Sequence, residues 1–160
     1  MSPEVSSMSR SRSGARRLLV QALYEWQIAG EPPEGVDLDF YRENPHGRAD
    51  MAYFEALFRD VLSDQVRIDE ALSTCVDRPL AEVDPVEKAV LRMGGCEMLL
   101  HPDVPYRVVI NEAVEQAKIF AAEDSHKYVN GVLDKLALKL RPREVSGHRN
   151  TRPEPLKSTD

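Results

Sequence analysis

Two groups of residues in this 160-residue chain have the types and spacing to hold a polyanion. Arg10, Arg12, Arg16 and Arg17 crowd its start. Guanidinium forks pair with phosphate oxygens and stack on bases. Lys127 and Tyr128 set a cation beside an aromatic ring. That pairing suits a base splayed out of a single strand, where stacking is worth about 1–3 kcal/mol. The alternative for Tyr128, a ring that caps the core at a helix start, stays open. Asp124 and Ser125 precede the pair, and Ser125 reads as part of a helix cap.

Other chemistries find no support in the spacing. Glu87, Glu97, Glu112, Glu115, Glu123, Asp124 and Asp134 form no arrangement that fixes an acid–base reaction, and Glu112 with Glu115 reads as solvated charge on one helix face. His46, His101, His126 and His148 fall in loops, at helix ends or in the tail, without H-x-x-x-H or H-E-x-x-H spacing, so no metal is expected. Cys75 and Cys96 each fall on an apolar stripe and are expected to be buried, reduced thiols. No glycine-rich phosphate loop is present, so neither catalysis nor a cofactor is expected.

The elements that must carry these residues are helical. No segment alternates with period two, so the class is all-α. A helix is expected over about Ala15–Ala29, capped by Ser13, with Leu19, Ala22, Leu23 and Trp26 inward and Tyr24 half exposed. Gly30, Pro32 and Pro33 end it. A short helix near Leu38–Arg42 is weakly signalled. One long helical pattern runs over Asp50–Cys75 through Phe54, Leu57, Phe58, Val61, Leu62, Val66, Ile68 and Leu72. Asp84-Pro85-Val86-Glu87 is a helix start, and that helix reaches about Leu100. Gly94 and Gly95 inside it each cost about 1 kcal/mol against alanine, which points to a close approach of another backbone or to a lining that leaves space. Two more helices follow, about Tyr106–Ala121 and Ser125–Leu140. Gly131 in the last is assigned to tight packing, and Pro142 is expected to end the fold.

A chain with 42% apolar residues can build one ordinary core. No apolar run approaches the roughly 18–20 residues of a membrane span, and the start lacks the apolar stretch of a secretory signal. A cytoplasmic protein is expected. The net charge of −6 is uneven. Between residues 18 and 137 there are 11 basic and 23 acidic residues, while both ends are basic. Basic ends on an acidic body point to a local anion site and a separate surface for a basic partner. Residues 1–11 are expected to be a flexible basic start and 144–160 a disordered tail.

Four stretches, ARRLLVQALYEWQ, LAEVDPVEKAVLR, DVPYRVVINEAVEQAK and AEDSHKYVNGVLDK, closely resemble the NusB family of transcription antitermination factors. The resemblance covers about residues 12–143. It implies a helical bundle of about seven helices in two small subdomains, three helices then four, and no catalysis. It also implies binding of the boxA element of ribosomal RNA leader transcripts together with the ribosomal protein NusE. NusA, NusG and RNA polymerase would complete the larger complex. By matched position, Arg10, Arg12, Arg16, Arg17, Lys127 and Tyr128 are the implied RNA residues, and Tyr24, Glu87 and Asp124 the implied partner residues. Ser13 and Gly14 interrupt what is often a denser basic run, so weak RNA affinity for the chain alone is expected. Three alternatives are set beside this reading. One is a structural or self-associating module that uses the Gly94–Gly95 face. Another is a ribosomal RNA maturation factor without an antitermination role. The third, an RNA methyltransferase, needs a further doubly wound domain that these residues do not supply.

Overall fold

A computed structural model describes the backbone of residues 3–43 and 47–151 and the side chains of residues 12–43 and 47–147. Among the described residues eight α-helices follow one another: α1 Pro3–Ile28, α2 Leu38–Glu43, α3 Met51–Ser63, α4 Gln65–Ser73, α5 Pro85–Leu100, α6 Tyr106–Phe120, α7 Ser125–Leu140 and α8 Pro142–Thr151. A short 3-10 turn, Leu80–Glu82, precedes α5, and no strand occurs among the described residues. The helices number one more than the resemblance implies, and α1 packs on α5 as well as on α3. One continuous apolar core runs through both.

The centre of that core is α5. Every residue from Ala89 to Met98 is buried, so this helix has no solvent face in its middle. It packs against α1, α3, α4, α6 and α7. Asp84 caps it, accepting from the Val86 and Glu87 amides at 3.0 and 3.1 Å, with Pro85 in the first turn. A Cβ added at Gly94 would lie 2.8 Å from Leu133 Cδ1, and one at Gly95 3.2 Å from Ile68 Cγ2. The close approach there is made by side chains of α7 and α4, not by another backbone, and it leaves no open space. It also fills the glycine face, which is therefore not open to a second copy.

Several expectations change. Ser13 is no cap. It lies inside α1, and its hydroxyl donates to Glu112 at 3.0 Å. The end of α1 is as expected. Gly30 takes a φ of +93°, its amide bonds the Gln27 carbonyl, and the Glu31 amide bonds the Trp26 carbonyl at 2.8 Å. This double closure is open to glycine because the left-handed conformation costs it nothing. The long run over Asp50–Cys75 breaks at Asp64 into α3 and α4. There the Ser63 hydroxyl donates to the Asp60 carbonyl and to the Asp64 carboxylate, offering the backbone a local alternative to the helix. Val66, read as part of the inward stripe, is 68% exposed. Gly131 is exposed and a Cβ there would meet nothing within 4 Å, so its assignment to tight packing is wrong. The inward face of α7 is Val129, Val132, Leu133 and Leu136.

Pro142 begins a helix instead of ending the fold. Proline suits a first helical position, where its missing N–H is not needed. Arg141 just before it is buried, and its guanidinium donates to the carbonyls of Glu97, Met98, His101 and Val104. It thereby adds donors to the carbonyls at the C-terminal end of α5, two of which also accept backbone amides. Glu144 bonds Arg141 at 2.6 Å and accepts from the Tyr106 amide at 2.7 Å, and Val145 joins the core. The boundary expected at Arg143 therefore falls inside the packed structure. Among the described residues no helix is long and apolar enough to cross a membrane.

Candidate nucleic-acid interface

The basic start of α1 divides into inward and outward residues. Arg16 faces inward and is 3% exposed. Its Nε reaches both oxygens of fully buried Glu97 at 3.0 Å, and its Nη1 lies 3.3 Å from Glu112. Burial works against this charge, but the Glu97 hydrogen bond and carboxylate outweigh it and hold the guanidinium firmly protonated. The Tyr53 hydroxyl also donates to Glu97. Arg16 is thus a structural cation, and its expected role as a phosphate ligand is corrected. A helix that points one residue at solvent points its neighbour about 100° away. Arg17 is accordingly exposed, and Arg12 is exposed with its guanidinium 4.3 Å from the centre of the Tyr53 ring. Arg10 is another of the expected residues, and its side chain lies outside those described. A groove of about 180 Å³ runs beside these residues, between Arg12 and Arg16 on α1, Pro105 just before α6, and Val108 and Glu112 on α6.

From Arg17 an outward line continues along α1. Gln21, Tyr24 and Ile28 follow at +4, +7 and +11, and Tyr24 is 41% exposed. Trp26 points the other way, into the core, and its indole N–H donates to the Pro32 carbonyl at 2.8 Å. From Arg12 to Gln27 the helix rises about 22 Å. At that far end the Gln27 amide donates to the Pro85 carbonyl, which joins α1 to the start of α5.

The second group gathers at the same start of α5. Asp124 precedes α7 with a φ of +76°, a conformation that aspartate tolerates better than most residues. Its side chain makes no cap hydrogen bond, and its carboxylate lies 3.4 Å from Lys127, both being largely exposed. Buried Ser125 opens α7. Tyr128 is half-buried, which supports the core-capping reading in part and leaves one edge exposed. Its inner edge packs on the core, while its hydroxyl donates to Asp77 at 3.3 Å. Arg78 lies over its ring at 5.4 Å, gripped by Asp77 through bonds of 2.8 and 3.1 Å. Burial and the Asp77 charge push the Tyr128 phenol up. The Arg78 hydrogen bond pulls the Asp77 carboxyl down, though burial opposes it. Glu87, half-buried on α5, is close enough for its charge to act on both Arg78 and Tyr128.

The fold therefore brings Glu87, Asp77, Arg78 and Tyr128 together and keeps the arginines of α1 at the other end of a helix-length track, with Tyr24 between. Arg78 is the residue that sequence reasoning missed. It precedes Pro79, which read as a separator between helices, and its ring partner lies 50 residues further on, so no local pattern marks it.

With this geometry in hand, likeness to known proteins is informative. The sequence model of the NusB family matches residues 13–138. The transcription antitermination protein NusB of Pseudomonas entomophila is 50% identical over 143 residues, 89% of this chain and 86% of the relative. That of Nitrosococcus oceani is 50% identical over 137 residues, 86% of this chain and 92% of the relative. The solved structure of T. maritima NusB superposes with a TM-score of 0.70 at 29% identity, covering 83% of this chain and 94% of that one.

Proposed function

This chain belongs to the NusB family, and from that premise we propose that it is an RNA-binding antitermination adaptor. It takes up the single-stranded boxA element of ribosomal RNA leader transcripts together with NusE. The pair then joins NusA, NusG and RNA polymerase in the cytoplasm and keeps ribosomal RNA synthesis processive. In this reading Arg12 and Arg17, with Arg10, hold phosphates, and Lys127 and Tyr128 hold a phosphate and a base. Tyr24, Glu87 and Asp124 face the partner. An acidic body suits a basic ribosomal protein, because complementary charge speeds and orients docking.

The observation that carries the reading is the line of exposed residues from Arg17 through Tyr24, along a helix whose far end joins the Glu87–Arg78–Tyr128 cluster at the start of α5. Cations lie at both ends of this track and aromatic rings along it, a composition that suits a single strand. A strand of several nucleotides is needed to cover about 22 Å, which fits site sizes of roughly 4–16 nucleotides. The test is a transcription assay on a template with a boxA leader and a downstream terminator. With NusA, NusE and NusG present, adding this chain is expected to raise read-through, and deleting boxA to abolish the gain. Equal read-through with and without boxA would refute the proposal.

A further inference from the structure

Away from the interface, three side chains with metal-ligating atoms converge where α3 meets the end of α5. Asp60 comes from α3, Cys96 from the buried middle of α5, and His101 from the residue that terminates α5. One ligand atom from each lies within 4.8 Å of the others. His101 Nε2 and Asp60 Oδ2 are 2.8 Å apart. Cys96 Sγ lies on the inner side, 3.9 Å from the Leu57 carbonyl, while Asp60 and His101 are partly open to solvent.

We propose that Asp60, Cys96 and His101 form a binding site for one divalent transition-metal ion, best suited to zinc. A thiolate, an imidazole and a carboxylate are the donors that zinc prefers, and harder ions such as magnesium or calcium reject the sulfur. Tetrahedral bonds of about 2.0–2.3 Å place ligand atoms about 3.3–3.8 Å apart, so the His101–Asp60 pair must open by about 0.5 Å and the thiol draw in by at most about 1 Å. The supports are rigid. The His101 amide bonds the Glu97 carbonyl at 3.0 Å, its own carbonyl accepts from Arg141, and its ring meets Tyr53 edge-on. The open side leaves a fourth position for water. An ion here ties α3 to the end of α5, directly beside the Tyr53–Glu97–Arg16 network that holds the start of α1. Sequence spacing gave no hint of this site, because Asp60 lies on another helix and Cys96 and His101 are five residues apart without a zinc-motif partner.

Cobalt(II) titrated into the full chain tests it. The expected result is a thiolate-to-cobalt charge-transfer band that saturates at one equivalent and is bleached by one equivalent of zinc. The band should vanish in Cys96→Ser and persist in Cys75→Ser. His101→Gln and Asp60→Asn should each weaken zinc binding at least tenfold. Both alter partly exposed groups, which keeps the test open even if the buried Cys96→Ser variant folds poorly. No charge-transfer band in the parent chain would overturn the proposal. So would a band unchanged in folded Cys96→Ser, or zinc affinity unchanged in His101→Gln and Asp60→Asn.

Discussion

Adjacent arginines in this chain carry opposite fates, and a single residue step of about 100° around the helix decides which. Removing the Arg16 side chain leaves the Glu97 carboxylate buried beside Tyr53 without its cation, at a cost of about 3–5 kcal/mol. Arg17→Ala changes an exposed side chain and is expected to shift stability by no more than about 0.5 kcal/mol. Urea unfolding of the two variants distinguishes them, and equal destabilisation would contradict the inward–outward division. In RNA binding the order is expected to reverse, since of the two only Arg17 is exposed. Tyr128 tests the other end of the track. Tyr128→Ala is expected to weaken boxA binding by about 1–3 kcal/mol, and Tyr128→Phe to retain most of it, because the ring supplies the stack. A Phe variant as weak as the Ala variant, in a fluorescence titration, would shift the role to the hydroxyl and its Asp77 partner. The arginine cluster and the Lys127–Tyr128 pair were legible as residue types. Burial of Arg16 was not, since its partner Glu97 is 81 positions away. The same holds for Arg78, which reaches Tyr128 only through the tertiary fold.

At the scale of elements, periodic stripes and terminator residues announced most of the helices. Leu19, Leu23 and Trp26 mark the inner face of α1, Gly30 its end, and Asp84-Pro85 the start of α5, each for a local reason visible in the chain. The breaks were harder. The inward phase Phe54, Leu57, Val61, Ile68 and Leu72 runs on past Asp64, so periodicity alone does not reveal that the helix is interrupted there. Pro142 reads equally well as a stop or as a first helical residue, and packing of Val145 and Glu144 decides between them. The glycines of α5 and α7 make a paired test. Gly131→Ala puts a methyl into open space on a helix and should stabilise by about 0.5–1 kcal/mol. Gly94→Ala drives its methyl against buried Leu133, and overpacking of about 1–3 kcal/mol outweighs the gain in helix propensity. Thermal unfolding that ranked Gly94→Ala above Gly131→Ala would mean that α7 yields more readily than its buried face implies.

Across the whole molecule, the helices are joined by an apolar core and by a few long-range charge ties. Arg92 on α5 bonds Glu31 after α1, Gln27 on α1 and Asp69 on α4. Burial alone would lift the Glu31 carboxyl, but the hydrogen bond and charge of Arg92, helped by Gln65, hold it below its ordinary value. A carboxyl depressed in the folded chain takes its proton at lower pH than the unfolded chain does. Its contribution is therefore full above the unfolded value of about 4.3 and is lost as pH falls through the lower folded value. Glu31→Gln should cost about 1 kcal/mol at neutral pH and flatten the loss of stability below about pH 4.3. An acid limb as steep as that of the parent chain in pH-dependent urea unfolding would assign that limb to other carboxylates. In the proposed function the uneven charge has a use, with an acidic body to meet a basic protein and basic groups to meet RNA. The most direct measurement of that central claim is a titration of boxA RNA with this chain, with and without NusE, at two salt concentrations. Weak binding alone and tight, sequence-dependent binding with NusE are expected. The slope of log K against log salt should flatten by about 0.7 for each phosphate contact removed with Arg12 or Arg17. Absence of RNA binding even with NusE bound, or a slope unmoved by those substitutions, would contradict it.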